Sequence, residues 1–253
     1  MVRPKKHLGQ HFLKDQKVAA KISDALTGHG GYKHVLEVGP GTGVVTELLL
    51  DSGYEVHAIE TDSESVEYLN QHFIQLTNNL IKGDFLRLDL DTITTEKLCV
   101  IGNFPYNISS QIFFKVLDNR NKIPECIGMI QKEVAERIAA VPGSKIYGIL
   151  SVLLQAYYDI ELLHKVPPGV FHPPPKVDSA IVRLRRNDVK QLDCDEKKFA
   201  QVVKAGFNQR RKTLRNALKT FTFATAPDEH LLTLRAERLT VEDFVHITKC
   251  VAE

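Results

Sequence analysis

The residues best placed to do chemistry sit where short apolar runs end. Val35-Leu-Glu-Val-Gly-Pro-Gly-Thr-Gly43 is one such run entering a glycine-rich turn. Glycine lets a backbone approach a ligand closely and adopt conformations that a Cβ forbids. A dinucleotide-binding G-x-G-x-x-G would need glycine at position 44, where the chain has Val44, so the spacing from Gly39 through Gly41 is G-x-G-x-G. Glu60 closes the next apolar run about 20 residues on, the distance at which an acid accepts hydrogen bonds from ribose hydroxyls. Asp84, in Ile81-Lys-Gly-Asp-Phe-Leu86, closes a third, where a carboxylate can accept from an adenine amino group. Glycine-rich turns also occur without a ligand. A turn and two acids at the carboxyl ends of three successive strands point to a bound nucleoside.

These three elements are similar to the first three motifs of the class I S-adenosylmethionine methyltransferases. That resemblance implies a seven-stranded sheet with the last strand antiparallel. Ile101-Gly-Asn-Phe-Pro-Tyr106 directly follows the fourth apolar run. The lone pair of adenine N6 is delocalised into the ring, so the amine is a poor nucleophile. Two acceptors holding its two N–H bonds favour a pyramidal nitrogen with the lone pair aimed at a methyl group. The Asn103 side-chain oxygen and the Phe104 carbonyl can supply them. Pro105 stiffens the turn, and Tyr106 offers a ring on which a base can stack. Positioning and charge arrangement then carry the rate, with no strong general base. An Asn-x-Pro-Tyr tetrapeptide by itself is an ordinary turn. At this place it resembles the Asn/Asp-Pro-Pro-Tyr motif of enzymes that methylate planar exocyclic or amide nitrogens. In Val170-Phe-His-Pro-Pro-Pro-Lys-Val-Asp-Ser179, Phe171 heads a proline-stiffened loop. Its ring either covers the other face of the base or anchors the core.

The elements that must position these residues follow from the apolar pattern. Strands are expected at His34–Val38, Glu55–Ile59, Leu80–Lys82, Leu98–Ile101, Cys126–Ile130, Asp159–Val166 and Ser179–Leu184, with helices such as Ser63–Gln75, Gln111–Leu117 and Gly148–Ala156 between them. Alternation of this kind means a mostly parallel sheet covered on both faces. The connection Lys165-Val-Pro-Pro-Gly-Val-Phe-His-Pro-Pro-Pro-Lys176 is too proline-rich for a helix, so the last two strands form an antiparallel excursion. After Arg186 only helical periodicity remains. Thr240 and Asp243 have capping-box spacing ahead of Phe244, Ile247 and Val251. The expected fold is α/β: a Rossmann-like seven-stranded methyltransferase sheet over residues 1–186, with a small all-helical domain over 187–253.

Composition narrows the function classes. With 253 residues and 43% hydrophobic content the chain can bury one full core and a small second domain. The N-terminal segment has no signal-peptide run, and no stretch approaches the roughly 20 apolar residues of a membrane span, so a cytoplasmic protein with no membrane partner is expected. Cys99, Cys126, Cys194 and Cys250 form no C-x-x-C pair, and the ten histidines show no H-E-x-x-H spacing, so neither disulfides nor a metal are expected. The net charge is only +2, but Lys197 to Lys219 holds eight Lys or Arg and no acid, and residues 1–17 hold Arg3, Lys5, Lys6, Lys14 and Lys17 against Asp15 alone. Such patches suit a polyanion. Arg211, Arg215 and Lys219 are spaced i, i+4, i+8, which predicts one basic helix face beside an apolar arc of Phe207, Leu214, Leu218 and Phe221. The apolar arc docks the helix and the basic arc meets phosphates of single-stranded or loop RNA.

Nearly end to end, the chain resembles the bacterial small-subunit (16S) ribosomal RNA adenine N6,N6-dimethyltransferases. Lys5-Lys-His-Leu-Gly-Gln-His-Phe-Leu13, Leu36–Gly43, Gly102–Ser110, Gly169–Leu184 and Phe207–Leu218 carry the resemblance. It implies S-adenosyl-L-methionine as methyl donor, held by His11, Leu13, Gly39, Gly41, Glu60, Asp84 and Asn103. It implies as substrate two adjacent adenosines in a loop near the 3′ end of 16S rRNA, in naked RNA or a small-subunit precursor, and a monomeric enzyme. His11 stands where the family commonly has Asn, and can still donate through a ring nitrogen. Phe104 stands where Leu or Ile is usual. A 23S rRNA adenine methyltransferase of the macrolide-resistance type, a protein glutamine-amide methyltransferase and a ribosome-assembly factor with secondary methylation remain as alternatives. The unbroken Phe171–Leu184 stretch argues against the first and the basic C-terminal segment against the second.

Overall fold

The computed structural model describes residues 2–5 and 8–252, and the elements below are those of the described residues. Lys6 and His7 of the first resemblance stretch lie outside them. The chain divides into two compact units, residues 1–135 with 159–186, and residues 136–158 with 187–253.

The first unit is built on a seven-stranded sheet. In chain order its first part comprises β1 (Phe12–Leu13), α1 (Gln16–Ser23), β2 (His34–Val38), α2 (Val44–Leu50), β3 (Glu55–Glu60), α3 (Ser63–His72), β4 (Leu80–Lys82), β5 (Leu98–Asn103), α4 (Ser109–Asp118) and β6 (Glu125–Gln131). The chain continues through α5 (Lys132–Ile138) and α6 (Ile149–Gln155), the latter part of the second unit, and returns to the first with β7 (Tyr158–Val166), β8 (Phe171–His172) and β9 (Ser179–Arg186). The sheet order is β4-β3-β2-β5-β6-β9-β7. Strands β2 to β6 pair in parallel, and β9 runs antiparallel to β6 with Gly128 opposite Val182. The central strands β2, β5 and β6 are almost entirely buried because helices cover both faces, which is why they read as predominantly apolar runs. All seven expected strands are present. A small antiparallel pair, β1 with β8, is an addition: Phe12 faces His172 and Leu13 faces Phe171. Two residues per strand are too few to leave a periodic signal.

Helix starts follow local chemistry. The Asp15 carboxylate accepts from the Lys17 and Val18 amides to open α1, and Asp62 caps α3. No helix of the described residues is long and apolar enough to cross a membrane.

The second unit holds α6, α7 (Glu196–Asn208), α8 (Leu214–Ala217), α9 (Glu229–Thr233) and α10 (Val241–Lys249). The expected capping box opens α10: Thr240 Oγ1 accepts from the Asp243 amide and Asp243 accepts from the Thr240 amide. This unit differs from the expected 187–253 by including residues 136–158. The Tyr147 ring is fully buried edge-on to Phe207, and the Arg210 guanidinium ties the Tyr147 carbonyl at 3.2 Å to Glu237 at 2.9 Å. Contacts between residues so far apart in sequence leave no mark on local periodicity.

The single basic helix is also corrected. Helix α7 ends at Asn208, Thr213 is extended, and α8 is four residues long. The Leu214 amide donates to the Leu234 carbonyl at 2.8 Å instead of back along a helix. Arg211, Arg215 and Lys219 are all exposed but do not share a helical face, and Arg215 is ion-paired with Glu229.

Candidate active site

The carboxyl ends of β2, β3 and β5 open onto a cleft, the place where open α/β sheets bind their ligands. Its lining includes His11, Leu13, Gly39, Gly41, Glu60, Asp84, Asn103, Phe104 and Tyr106. Nine of the residues singled out from sequence are thus brought together. Phe171 is not: it is 1% exposed and packs in the core with Leu13, Ile181 and Met129. With no free face its ring cannot cover a base as it stands. Of the two expected placements of Phe171, over a base or in the core, the described one is the core, opposite Leu13 in the β1–β8 pair.

The glycine turn is shaped by contacts on both sides. Gly39, Gly41 and Gly43 all have positive φ, and a Cβ on Gly43 would lie 2.3 Å from the Phe73 ring, a space that side chain already fills. Gly41 donates to Glu60 Oε2 at 3.2 Å, while Glu60 Oε1 accepts from the Asp62 amide at 2.9 Å. Burial raises the Glu60 carboxyl above its ordinary value, and these amides oppose the shift. Asp84 is partly exposed. One of its oxygens accepts from the Leu86 amide at 2.9 Å, and the other lies 3.7 Å from Arg87.

The N-terminal segment lies along the same cleft. Lys5 is ion-paired with Asp62 and with Glu64 at 3.2 Å, and the Gln10 amide donates weakly to Asp62. Burial pushes the Asp62 carboxyl up, but the Lys5 ammonium, Ser65 and Gln10 outweigh it and hold it below the ordinary range. The His11 ring donates from Nδ1 to the Pro173 carbonyl at 2.7 Å and stacks on Tyr106 with centroids 5.4 Å apart. Its side chain is therefore committed to the protein. The His11 carbonyl accepts from Asn103 Nδ2 at 2.9 Å. That bond fixes the amide's orientation and leaves Asn103 Oδ1 as its acceptor. The Tyr106 hydroxyl is bonded to Ser179, and burial raises its phenol above the ordinary value, so it stays neutral.

Sequence reasoning missed Glu37, Asp62 and Gln10. Glu37 had a visible signal, an acid inside an otherwise apolar strand. It is 1% exposed, lines the cleft and accepts from Thr46 Oγ1 at 2.5 Å. Burial lifts its carboxyl from 4.5 to about 7, with Thr46 opposing and Glu60 adding. An acid whose folded value lies above its unfolded one binds more protons folded, so it costs stability as pH rises between about 4.5 and 7. The shift corresponds to roughly 3 kcal/mol at most. Glu37→Gln should therefore melt higher than wild type at pH 8, by several degrees, and no higher at pH 4.5. A melting difference that does not change with pH would contradict this.

These residues suit an adenosine-bearing sulfonium. The glycine turn lines the cleft, the buried Glu60 carboxylate is available to ribose hydroxyls, and Asp84 has one oxygen held only by a 3.7 Å ion pair with exposed Arg87.

A family model described as ribosomal RNA adenine dimethylase matches residues 1–253. The chain is 56% identical to the ribosomal RNA small subunit methyltransferase A of Cytophaga hutchinsonii, over 99% of this chain and 98% of that one. Identity to the protein of the same name from Parabacteroides distasonis is also 56%, over 98% and 94%. Among solved structures, a dimethyladenosine transferase from Plasmodium falciparum superposes with a TM-score of 0.77 at 26% identity, covering 94% of this chain and 96% of that one. The 23S rRNA methyltransferase ErmE gives 0.71 at 25% identity, over 94% and 99%. By its sheet, its cleft and its likeness from end to end, the chain belongs to the ribosomal RNA adenine dimethylase family and is an S-adenosylmethionine-dependent methyltransferase.

Proposed function

We propose that this chain dimethylates adenine N6 in small-subunit (16S) ribosomal RNA, at two adjacent adenosines in a loop near the 3′ end. The reading includes a monomer acting in the cytoplasm on a small-subunit precursor. The observation that carries it is the Asn103 amide, whose N–H is spent on the His11 carbonyl so that its oxygen is left for a substrate amine.

S-adenosylmethionine supplies an electrophilic methyl group when bound. Gly39 and Gly41 give it a backbone floor, Glu60 takes its ribose hydroxyls, and Asp84 takes its adenine amine. Leu13 offers an apolar wall, and His11 contributes through its backbone. On the substrate side, Asn103 Oδ1 and the Phe104 carbonyl accept the two N6 protons and favour a pyramidal nitrogen. Tyr106, with one face on His11, presents its ring to the flipped base. As the N6–methyl bond forms, the donor's sulfur–methyl bond would break to leave a neutral thioether, and the proton of the methylated amine, now acidic, would pass to water without a strong base. Mapping radiolabelled methyl groups on both ribosomal RNAs tests the assignment. Label confined to two adjacent small-subunit adenines is expected, and label in 23S rRNA alone would overturn it.

For RNA docking the exposed cations of the second unit are the proposed surface. Arg211→Glu with Lys219→Glu should lower RNA affinity and flatten its salt dependence by about 0.7–0.9 in log–log slope for each phosphate no longer neutralised. Arg215→Glu should do less, since Glu229 already neutralises Arg215. Cofactor affinity and melting temperature should hold, because exposed charge changes cost little stability. A wild-type salt slope in the double variant would remove this surface from the reading.

A further inference from the structure

Strands β2 and β3 place His34 opposite Glu55 and Leu36 opposite His57. Alternation along a strand puts Glu55 and His57 on one face, and the register brings His34 onto the same face. The three side chains converge there. Nδ1 of His34 lies 3.3 Å from Nε2 of His57, and the two Glu55 carboxylate oxygens lie 3.5 Å from one nitrogen each. One ligand atom from each residue falls within 4.8 Å of the others. The imidazole rings are tilted 37° to each other with centroids 5.5 Å apart, so they meet by their nitrogens and not by their faces.

A tetrahedral ion bound at about 2.0–2.1 Å has donor–donor edges of about 3.3–3.4 Å. The separation of the two histidine nitrogens, 3.3 Å, is already such an edge, while each Glu55 oxygen is 3.5 Å from a different nitrogen, so that a small turn of the carboxylate brings one oxygen to the third corner. The two histidine side chains are 14% and 8% exposed and the Glu55 side chain 56%, so the donor set is walled by protein on the imidazole side and open to water on the other. We propose that His34, Glu55 and His57 bind one divalent transition-metal ion of the zinc class, with water in the fourth position. Two nitrogens and one carboxylate select such an ion over Mg²⁺ or Ca²⁺, which take oxygen donors. His34 opens β2 and Glu55 opens β3, whereas the cleft follows the far ends of the same strands, at Gly39 and Glu60. The ion ties the starts of two neighbouring strands and takes no part in methyl transfer.

The competing arrangement is a histidine pair sharing one proton, with Glu55 as a surface partner. Titrating the full-length, reduced protein with Zn²⁺, Co²⁺ and Mg²⁺ separates the two. One Zn²⁺ per chain is expected, with a raised melting temperature, a tetrahedral Co²⁺ spectrum without a thiolate band, and no response to Mg²⁺. His57→Gln should abolish uptake and Glu55→Gln weaken it by at least about tenfold, while S-adenosylmethionine affinity stays at the wild-type value in both and reports an intact fold. No Zn²⁺ uptake by the wild type, uptake unchanged in the His57→Gln Glu55→Gln double variant, or a thiolate band placing the ion on cysteine would each overturn the site.

Discussion

Asn103→Ala is expected to slow single-turnover methyl transfer by about 10²–10³-fold, the scale for losing one preorganised polar group aimed at a reacting centre. S-adenosylmethionine affinity should stay within a few-fold of wild type. The asymmetry follows from the bond that holds the amide. Its N–H is committed to the His11 carbonyl at 2.9 Å, so the oxygen is held for the substrate before any substrate arrives. Alanine removes the acceptor where N6 must become pyramidal but leaves Glu60, Asp84 and the glycine turn in place. Asn103→Asp keeps an acceptor and loses the donor to His11, so it should retain more activity than the alanine variant. Pre-binding cofactor and RNA and quenching a single turnover measures the step directly. A near-wild-type rate in Asn103→Ala would show that the amide only fastens the N-terminal segment.

The second large effect is at Glu60. Removal of its carboxylate should weaken S-adenosylmethionine binding by about 100-fold or more, since two hydrogen bonds to a charged acceptor are worth about 1.5–3 kcal/mol each. RNA affinity should hardly change. The carboxylate also accepts from the Gly41 and Asp62 amides, so Glu60→Ala loosens the floor of the cleft as well as removing the ribose contact. Asp84→Ala should cost less, because that carboxylate is partly exposed and one oxygen is already occupied by the Leu86 amide. Calorimetric titration with cofactor ranks the two. Unchanged affinity in both folded variants would dissociate this cleft from the methyl donor.

By itself the sequence determined the strands, the glycine turn and the acids that end β3 and follow β4, because each is written in a local signal. Buried parallel strands read as apolar runs, a backbone at positive φ asks for glycine, and polar groups fall where a strand leaves the core. The capping box of α10 was legible for the same reason, its two partners being three residues apart. Only the tertiary structure decided matters that depend on partners distant in the chain. Phe171 could have faced a base or the core, and its pairing across from Leu13 buried it. The basic segment had the periodicity of one helix, yet a hydrogen bond from Leu214 to Leu234 interrupts it and turns Arg211, Arg215 and Lys219 away from a common face. Residues 136–158 joined the helical unit through Tyr147 and Arg210, and Asn103 acquired its orientation from His11, 92 residues earlier. His34 and His57, 23 residues apart on adjacent strands, meet only through sheet register. Local pattern records what the backbone prefers at each position, whereas these contacts arise from chain closure over long separations, which no short window of residue types encodes.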